Sequence, residues 1–203
     1  MNGFLNQAYG ARDAASTRQL YDNWATSYEA EVGDNGYATP GRCAAALAAN
    51  MSDLNATILD FGCGTGLSGL ALRLAGFSRI DGLDLSADML AVAKGKNLYR
   101  TLHQIEAGGA LPHSQGDYAA IAAIGVIGAG AAPISMFDTL MDGLAAGGRF
   151  VFSFNDHALK DPINEAKMQD WIDTDRAILL FKEYGDHLPG IDLNSNVYVV
   201  EKL

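Results

Sequence analysis

The 203-residue sequence predicts an α/β fold: a doubly wound, seven-stranded, mostly parallel sheet with helices on both faces and an antiparallel C-terminal hairpin. Three observations carry this. From residue 56 to residue 155, short apolar runs alternate with helix-period segments, a pattern that builds parallel strands joined by crossover helices. The strand segments are nearly continuous in apolar character, as strands buried on both faces are. The last two β-rich runs follow each other with no helix between them, so they pair antiparallel.

The elements follow in order. Residues 1–15 have weak periodicity and are expected to be loosely held ahead of a single domain over 16–203. Within that domain, 16–50 form a helical lid and 56–203 the sheet core; the lid holds one helix over 16–30 and a second after Pro40, through "GRCAAALAANM". "ATILDFG" is strand one, and "LSGLALRLA" is the helix after it, with Gly76 as C-cap. "RIDGLDL" is strand two, and Ser86 stands where it can cap the helix "ADMLAVAKGKN". "YRTLHQIEA" and "YAAIAAIG" are strands three and four. Pro133 opens the helix "PISMFDTLMDGLAA", which stops at Gly147-Gly148 before strand five, "RFVFSFN". A helix around "PINEAKMQDWIDT" precedes the closing hairpin of "AILLFKEY" and "NVYVVEKL".

Composition narrows the function classes. With 49% hydrophobic and 19% charged residues the chain reads as a soluble globular protein. A net charge of -10, with the 14 Lys and Arg scattered, repels phosphate backbones, so no nucleic-acid partner is expected. Cys43 and Cys63 make neither a disulfide framework nor a metal cluster, and no metal is expected. The N-terminus lacks a basic start followed by an apolar core. The most apolar stretch, "YAAIAAIGVIGAGAAPISMF", is broken by glycines and Pro133, and reads as strand plus loop rather than a membrane span. These features predict a cytoplasmic monomer without a membrane partner.

The chemistry concentrates in "ILDFGCGTG", residues 58–66. In an open parallel sheet, ligands bind at the carboxyl ends of strands where the winding direction reverses. Glycines at 62, 64 and 66 let the main chain approach a ligand with no Cβ in between, and the following helix offers free N–H groups. A dinucleotide site would want G-x-G-x-x-G, whose third glycine falls on Leu67. Asp60, just before the loop, is poor company for a diphosphate and good company for an ammonium group. Asp84, ending strand two, lies where a ribose-binding carboxylate is expected. One acid for an amine, one for a ribose diol and bare backbone between them describe S-adenosylmethionine better than NAD.

"ILDFGCGTG" followed by "IDGLDLSADML" resembles motifs I and II of the class I S-adenosylmethionine-dependent methyltransferases, and "LAAGGRFVFS" resembles that family's approach to strand five. The N-terminal "YDNWATSYE" is similar to the opening helix of small stand-alone members, the ubiquinone-methyltransferase-like branch. The resemblance implies a Rossmann-like core and a set of roles. Asp60, Gly62, Cys63, Gly64, Thr65 and Gly66 would hold the methionine moiety, with Cys63 a small space-filling residue rather than a reactive thiol. Asp84 would chelate the ribose hydroxyls, Leu85 and Met89 would flank the adenine, and Glu106 and Ala107 would meet its amine. Ala123, Ile124 and Gly125 would lie under the sulfonium. Tyr21, Trp24 and Tyr28 recur at i, i+3 and i+7, and would either form part of a lid or pack as core.

The implied reaction is in-line transfer of the sulfonium methyl to an O, N, S or C atom of a small molecule. A base is needed only when the acceptor carries a proton, and Asp156 and His157, just past strand five, are the candidates. His187 is expected in the loop between the last two strands, on the same rim. No N/D-P-P-[YF] signature is present, since the sole Asp-Pro pair is Asp161-Pro162. Two other readings stand beside this one: a non-catalytic S-adenosylmethionine-binding protein and a nicotinamide-dependent oxidoreductase.

Overall fold

A computed structural model describes residues 14–24, 27–109, 111–128 and 132–203, with residues 14–17 and 21 described by their backbone. The seven apolar runs become strands β1 (Thr57–Phe61), β2 (Arg79–Asp84), β3 (Thr101–Gln104), β4 (Ala120–Ala123), β5 (Arg149–Asn155), β6 (Ala177–Leu188) and β7 (Leu193–Lys202). They form one sheet in the order β3-β2-β1-β4-β5-β7-β6. The first five are mutually parallel, and β7 runs antiparallel to both β5 and β6. The winding reverses between β1 and β4, which places the ligand crevice beyond the carboxyl ends of those two strands. Among the described residues the helices are α1 (Ala14–Trp24), α2 (Tyr28–Asp34), α3 (Thr39–Ala49), α4 (Leu67–Leu74), α5 (Ala87–Gly95), α6 (Met136–Gly143), α7 (Asp156–Leu159) and α8 (Ile163–Asp173).

The two-residue period of the strands sorts the core. Leu59, Phe61, Ile121, Phe150, Phe152 and Phe154 join Phe137 and Leu140 of α6 and Met168 and Trp171 of α8 on one face. Ile58, Ile80, Ala120, Ala122 and Val151 meet Cys43 and Leu47 of α3 and Leu72 of α4 on the other. Each large side chain buried here contributes about 1.5–3 kcal/mol relative to exposure. Asp60 lies two residues after Ile58, so alternation turns it to the α4 face, away from the phenylalanines.

Two expectations, the single helix over 16–30 and the loop position of His187, are corrected, and two further points are noted with them. The helix over 16–30 is two helices: the Ser27 N–H donates to the Trp24 carbonyl at 3.0 Å, and Glu29 and Glu31 occupy the first turn of α2, where carboxylates suit the helix dipole. Of the loose N-terminus over 1–15, residues 1–13 lie outside the described residues, and Ala14 and Ala15 open α1. The short α7 was not anticipated; Asn155 starts it by accepting from the N–H groups of His157 and Ala158 at 3.1 and 3.0 Å. His187 lies in β6 rather than in a loop, because β6 and β7 stay paired through Asp186 with Asn194 and Leu188 with Leu193. A 3₁₀ turn at Pro189–Ile191 makes the connection instead.

The N-terminal helices are fastened across the β2–α5 side of the crevice. Arg18 of α1 pairs with Glu106 at 2.6 Å, Asp22 accepts from the Ser86 hydroxyl, and Glu29 of α2 pairs with Lys96. Leu20 and Trp24 pack on Met89 of α5 in a small apolar cluster. Among the described residues no helix is long and apolar enough to cross a membrane.

Candidate functional site

The loop after β1 is held at its start. The N–H groups of Gly62 and Cys63 donate to the Leu83 carbonyl at 2.8 and 3.0 Å, tying the loop to the end of β2. Gly62 has φ +70, and a Cβ there would stand 2.5 Å from Val126 Cγ2, so only glycine fits. Gly64 has φ +51, yet a Cβ there would meet nothing within 4 Å. The bareness of Gly64 therefore leaves room for something other than the protein. Gly64→Ala is expected to cost only about 1 kcal/mol of stability, from the left-handed φ, while lowering S-adenosylhomocysteine affinity by about tenfold or more. Calorimetry beside thermal melts checks this, and unchanged affinity would remove Gly64 from the cradle.

Asp60 is fully buried. Its Oδ2 accepts from the Ser68 hydroxyl at 2.6 Å and from the Tyr99 phenol at 2.7 Å, and the Tyr99 oxygen in turn accepts from the Gly69 N–H at 3.1 Å. Its Oδ1 is buried with no hydrogen-bond partner among the described residues, and so is the Thr65 hydroxyl oxygen. Burial pushes the Asp60 carboxyl up to about 6; the two hydrogen bonds pull it down, and the charge of Asp84 adds to the rise. Burial, with Asp60 beside it, drives the Tyr99 phenol far above its ordinary range, so it stays a donor. Burial likewise raises the Cys63 thiol well above its ordinary value, which makes it inert filling rather than a nucleophile.

Asp84 is bonded to the same loop. Its Oδ2 accepts from the Gly64 N–H at 2.8 Å and its Oδ1 from the Ser86 N–H at 2.9 Å. Each oxygen keeps a further lone pair, and burial raises the carboxyl. Ser86 caps α5 as its position suggested, accepting from the Met89 N–H at 3.1 Å.

Against the glycine loop lies a hollow of about 270 Å³, part of it open to solvent, which neither Asp60 nor Asp84 lines directly. Residues 62–65 with Leu67 and Ser68 form its floor and Ile124 one side, and Tyr28, Tyr37 and Pro40 come from the N-terminal region. The structure thus brings together Gly62, Cys63, Gly64, Thr65, Tyr28 and Ile124, with Asp60 behind Ser68 and Asp84 joined through Gly64. Gly66 caps α4 with φ +93. Ala123 is buried in β4, and the Gly125 N–H donates to the Ser153 hydroxyl oxygen at 3.0 Å.

Other expected site residues do not line this hollow. Trp24 and Met89 are packed in the cluster with Leu20. The Leu85 carbonyl accepts from the Gln104 amide at 2.9 Å. Glu106 is taken by Arg18, and Ala107 is exposed. The Tyr21 side chain lies outside the description. Asp156 accepts from the Tyr184 phenol at 2.8 Å and the Asn194 N–H at 2.9 Å, and neither it nor His157 lines the hollow. His187 is buried with its Nδ1 2.7 Å from the Thr39 hydroxyl, and burial pushes its imidazole down to about 4, so it is neutral at physiological pH. Sequence reasoning missed Tyr37, Pro40, Leu67, Ser68 and Tyr99. A hydroxyl in the first turn of the helix after a glycine loop was a usable signal for Ser68; nothing in the local pattern marked Tyr99.

The sequence profile of the methyltransferase domain matches residues 37–195, most of the chain. The chain belongs to the methyltransferase domain family. The methyltransferase domain is 32% identical over 139 residues to the human (Homo sapiens) methyltransferase-like protein 27, covering 67% of this chain and 57% of that protein. It is 33% identical over 125 residues to the 18S rRNA (guanine(1575)-N(7))-methyltransferase of Saccharomyces cerevisiae, covering 55% of this chain and 46% of the relative. The chain therefore spans about half the length of these relatives. Its fold is shared with the crystal structure of the [4+2]-cyclase SpnF at a TM-score of 0.68, 14% identity, and coverage of 95% of this chain and 97% of that one.

Proposed function

We propose that this methyltransferase domain binds S-adenosylmethionine over residues 62–66 and transfers its methyl group in line to a small molecule. The observation that carries the reading is the buried Oδ1 of Asp60, which, like the buried Thr65 hydroxyl of the following loop, has no hydrogen-bond partner among the described residues. A buried carboxylate oxygen left unbonded is costly unless a ligand donates to it, and an ammonium group is the fitting donor. Asp84, joined to the same loop through Gly64, suits the ribose diol. When bound, the cofactor supplies an already activated methyl group. The chain's own part is to orient and to exclude water: Asp60 and Thr65 at the amine end, Asp84 at the ribose, Tyr28, Tyr37 and Leu67 as apolar walls. Where the acceptor carries a proton, Asp156 and His157, just past β5, remain the candidate bases; Asp156 accepts from the Tyr184 phenol and the Asn194 N–H, and an acceptor would have to reach beyond the hollow to meet either.

A small acceptor is favoured by the net charge of -10 and by a hollow in which no described lining residue is Lys or Arg. A cytoplasmic monomer is part of the same reading; Cys43 and Cys63, both free and buried, suit a reducing compartment. Likeness to the yeast rRNA enzyme favours a second reading, an RNA acceptor. Methyl-labelled S-adenosylmethionine offered with a metabolite extract or with total RNA separates the two, with label expected in the small-molecule fraction; label in neither leaves a non-catalytic binder. A thermal shift with NADH but none with S-adenosylhomocysteine would restore the nicotinamide reading.

The binding site itself is tested at Asp84. Asp84→Ala is expected to weaken S-adenosylhomocysteine by about 1.5–3 kcal/mol, the scale of hydrogen bonds to a charged group. Unchanged affinity by calorimetry in a folded variant would contradict the ribose assignment.

A further inference from the structure

We infer that Tyr37 reads the charge on the cofactor's sulfur, holding the sulfonium form more tightly than the neutral thioether product, and that His187 is the residue that positions Tyr37. The inference rests on the S-adenosylmethionine reading above and names a residue of this chain that neither the glycine loop nor the two acids account for.

Tyr37 follows α2, its N–H donating to the Val32 carbonyl at 3.1 Å, and its ring forms part of the hollow wall beside residues 62–65. Its phenol oxygen lies 2.5 Å from the point where a Cβ on Gly125 would stand, so it rests against the backbone just beyond β4. Gly125 (φ +70) can carry no side chain while Tyr37 is there. β4 adjoins β1 across the winding reversal. A ligand whose amine meets Asp60 and whose ribose meets Asp84 has its sulfur between those two groups, over the loop that Tyr37 faces. An aromatic ring and a phenol oxygen both present negative electrostatic potential, which attracts a sulfonium and does little for a thioether.

The ring is not left to find its own orientation. His187 meets it edge-on, with ring centroids 5.2 Å apart and planes at 82°. His187 Nδ1 is 2.7 Å from the Thr39 hydroxyl, which is 3.1 Å from the Ser195 hydroxyl, which accepts from the Arg42 guanidinium at 3.1 Å. A guanidinium only donates, so Ser195 accepts from Arg42 and still has its own hydrogen and a second lone pair to share with Thr39. Thr39 bridges Ser195 and Nδ1, and this run of contacts fixes the place of the imidazole whichever hydroxyl donates. Arg42 is anchored by donating to the carbonyls of Glu183 and Asp186, both at 2.9 Å, and the Ala38 N–H donates to the His187 carbonyl at 3.0 Å. Asp156, Arg42 and His157 supply the charges felt at the imidazole.

The test is calorimetric titration of S-adenosylmethionine and of S-adenosylhomocysteine into the wild type, Tyr37→Leu, Tyr37→Phe and His187→Leu, each checked for folding by circular dichroism. The wild type should prefer S-adenosylmethionine. Tyr37→Leu should lose about tenfold in affinity for it, with less than about a threefold change for the thioether. His187→Leu should lose part of the same preference with thioether affinity kept, a change in ratio that general loosening of the fold would not give. Tyr37→Phe keeps the ring and its packing should the leucine variant fail to fold, and its preference should fall about threefold. Equal losses for the two ligands, or an unchanged ratio in Tyr37→Phe, would overturn the inference and leave cofactor binding standing. A wild type that binds neither ligand would overturn the underlying reading and this inference with it.

Discussion

Replacing Asp60 by asparagine should abolish cofactor binding and, at neutral pH, make the unliganded protein more stable relative to the wild type than it is in acid. The carboxyl is buried and raised to about 6 from an ordinary value of 3.8. For an acid raised in this way the fold favours the protonated form, so its contribution is complete below the unfolded value and is lost as pH rises through the folded one. The gap corresponds to about 3 kcal/mol. Asparagine cannot ionise, and its carbonyl can accept the bonds from Ser68 and Tyr99. The stability difference between variant and wild type should therefore move by about 3 kcal/mol in favour of the variant between about pH 4 and pH 7. Urea unfolding across that range measures it, and a flat difference would show that Asp60 does not titrate in this window. The same ionisation serves binding. Affinity of the wild type for S-adenosylhomocysteine should rise with pH through about 6, as the carboxylate forms to meet the ammonium, and Asp60→Asn should lose about 100-fold or more. On these outcomes Asp60 is a destabilising charge in the free protein that the ligand's ammonium group neutralises.

Gly62→Ala should destabilise the fold by about 3 kcal/mol, combining a left-handed φ unsuited to alanine with overpacking. The added Cβ would stand 2.5 and 2.6 Å from the two methyl carbons of Val126. Val126→Ala in the same chain removes those methyls and should recover about half of the loss, leaving the backbone part. Denaturant unfolding of the two single variants and the double variant gives the coupling directly. Simple additivity would mean that Val126 is not what excludes a side chain at residue 62.

The parts of the fold that could be read in advance are those set by near neighbours in the chain. Continuous apolar runs such as "TILDF" and "AIAA" became central strands, and Ser86 capped α5 because the residues that decide these outcomes lie within a few positions of one another. Asp60 and Asp84 came to the glycine loop because both sit at or next to strand ends beside the winding reversal. What stayed hidden depends on distant contact. Tyr99 reaches Asp60 across 39 positions, and Thr39 reaches His187 across 148. Gly185-Asp186 has turn chemistry, yet pairing with β7 carries the strand through it. The stripe of Tyr21, Trp24 and Tyr28 had two possible partners, and burial divided it: Trp24 went into the cluster around Met89, while Tyr28 stayed at the hollow.

β7 follows β6 along the chain but lies between β5 and β6 in the sheet, and it is the strand with which β6 pairs. During synthesis β6 therefore emerges from the ribosome ahead of the strand it pairs with, while the edge of β5 is also still open, and reaches its place in the sheet only when residues 193–202 have cleared the exit tunnel. A chaperone that grips the nascent chain in that interval would meet a twelve-residue strand whose hydrogen-bonding edges are both still open.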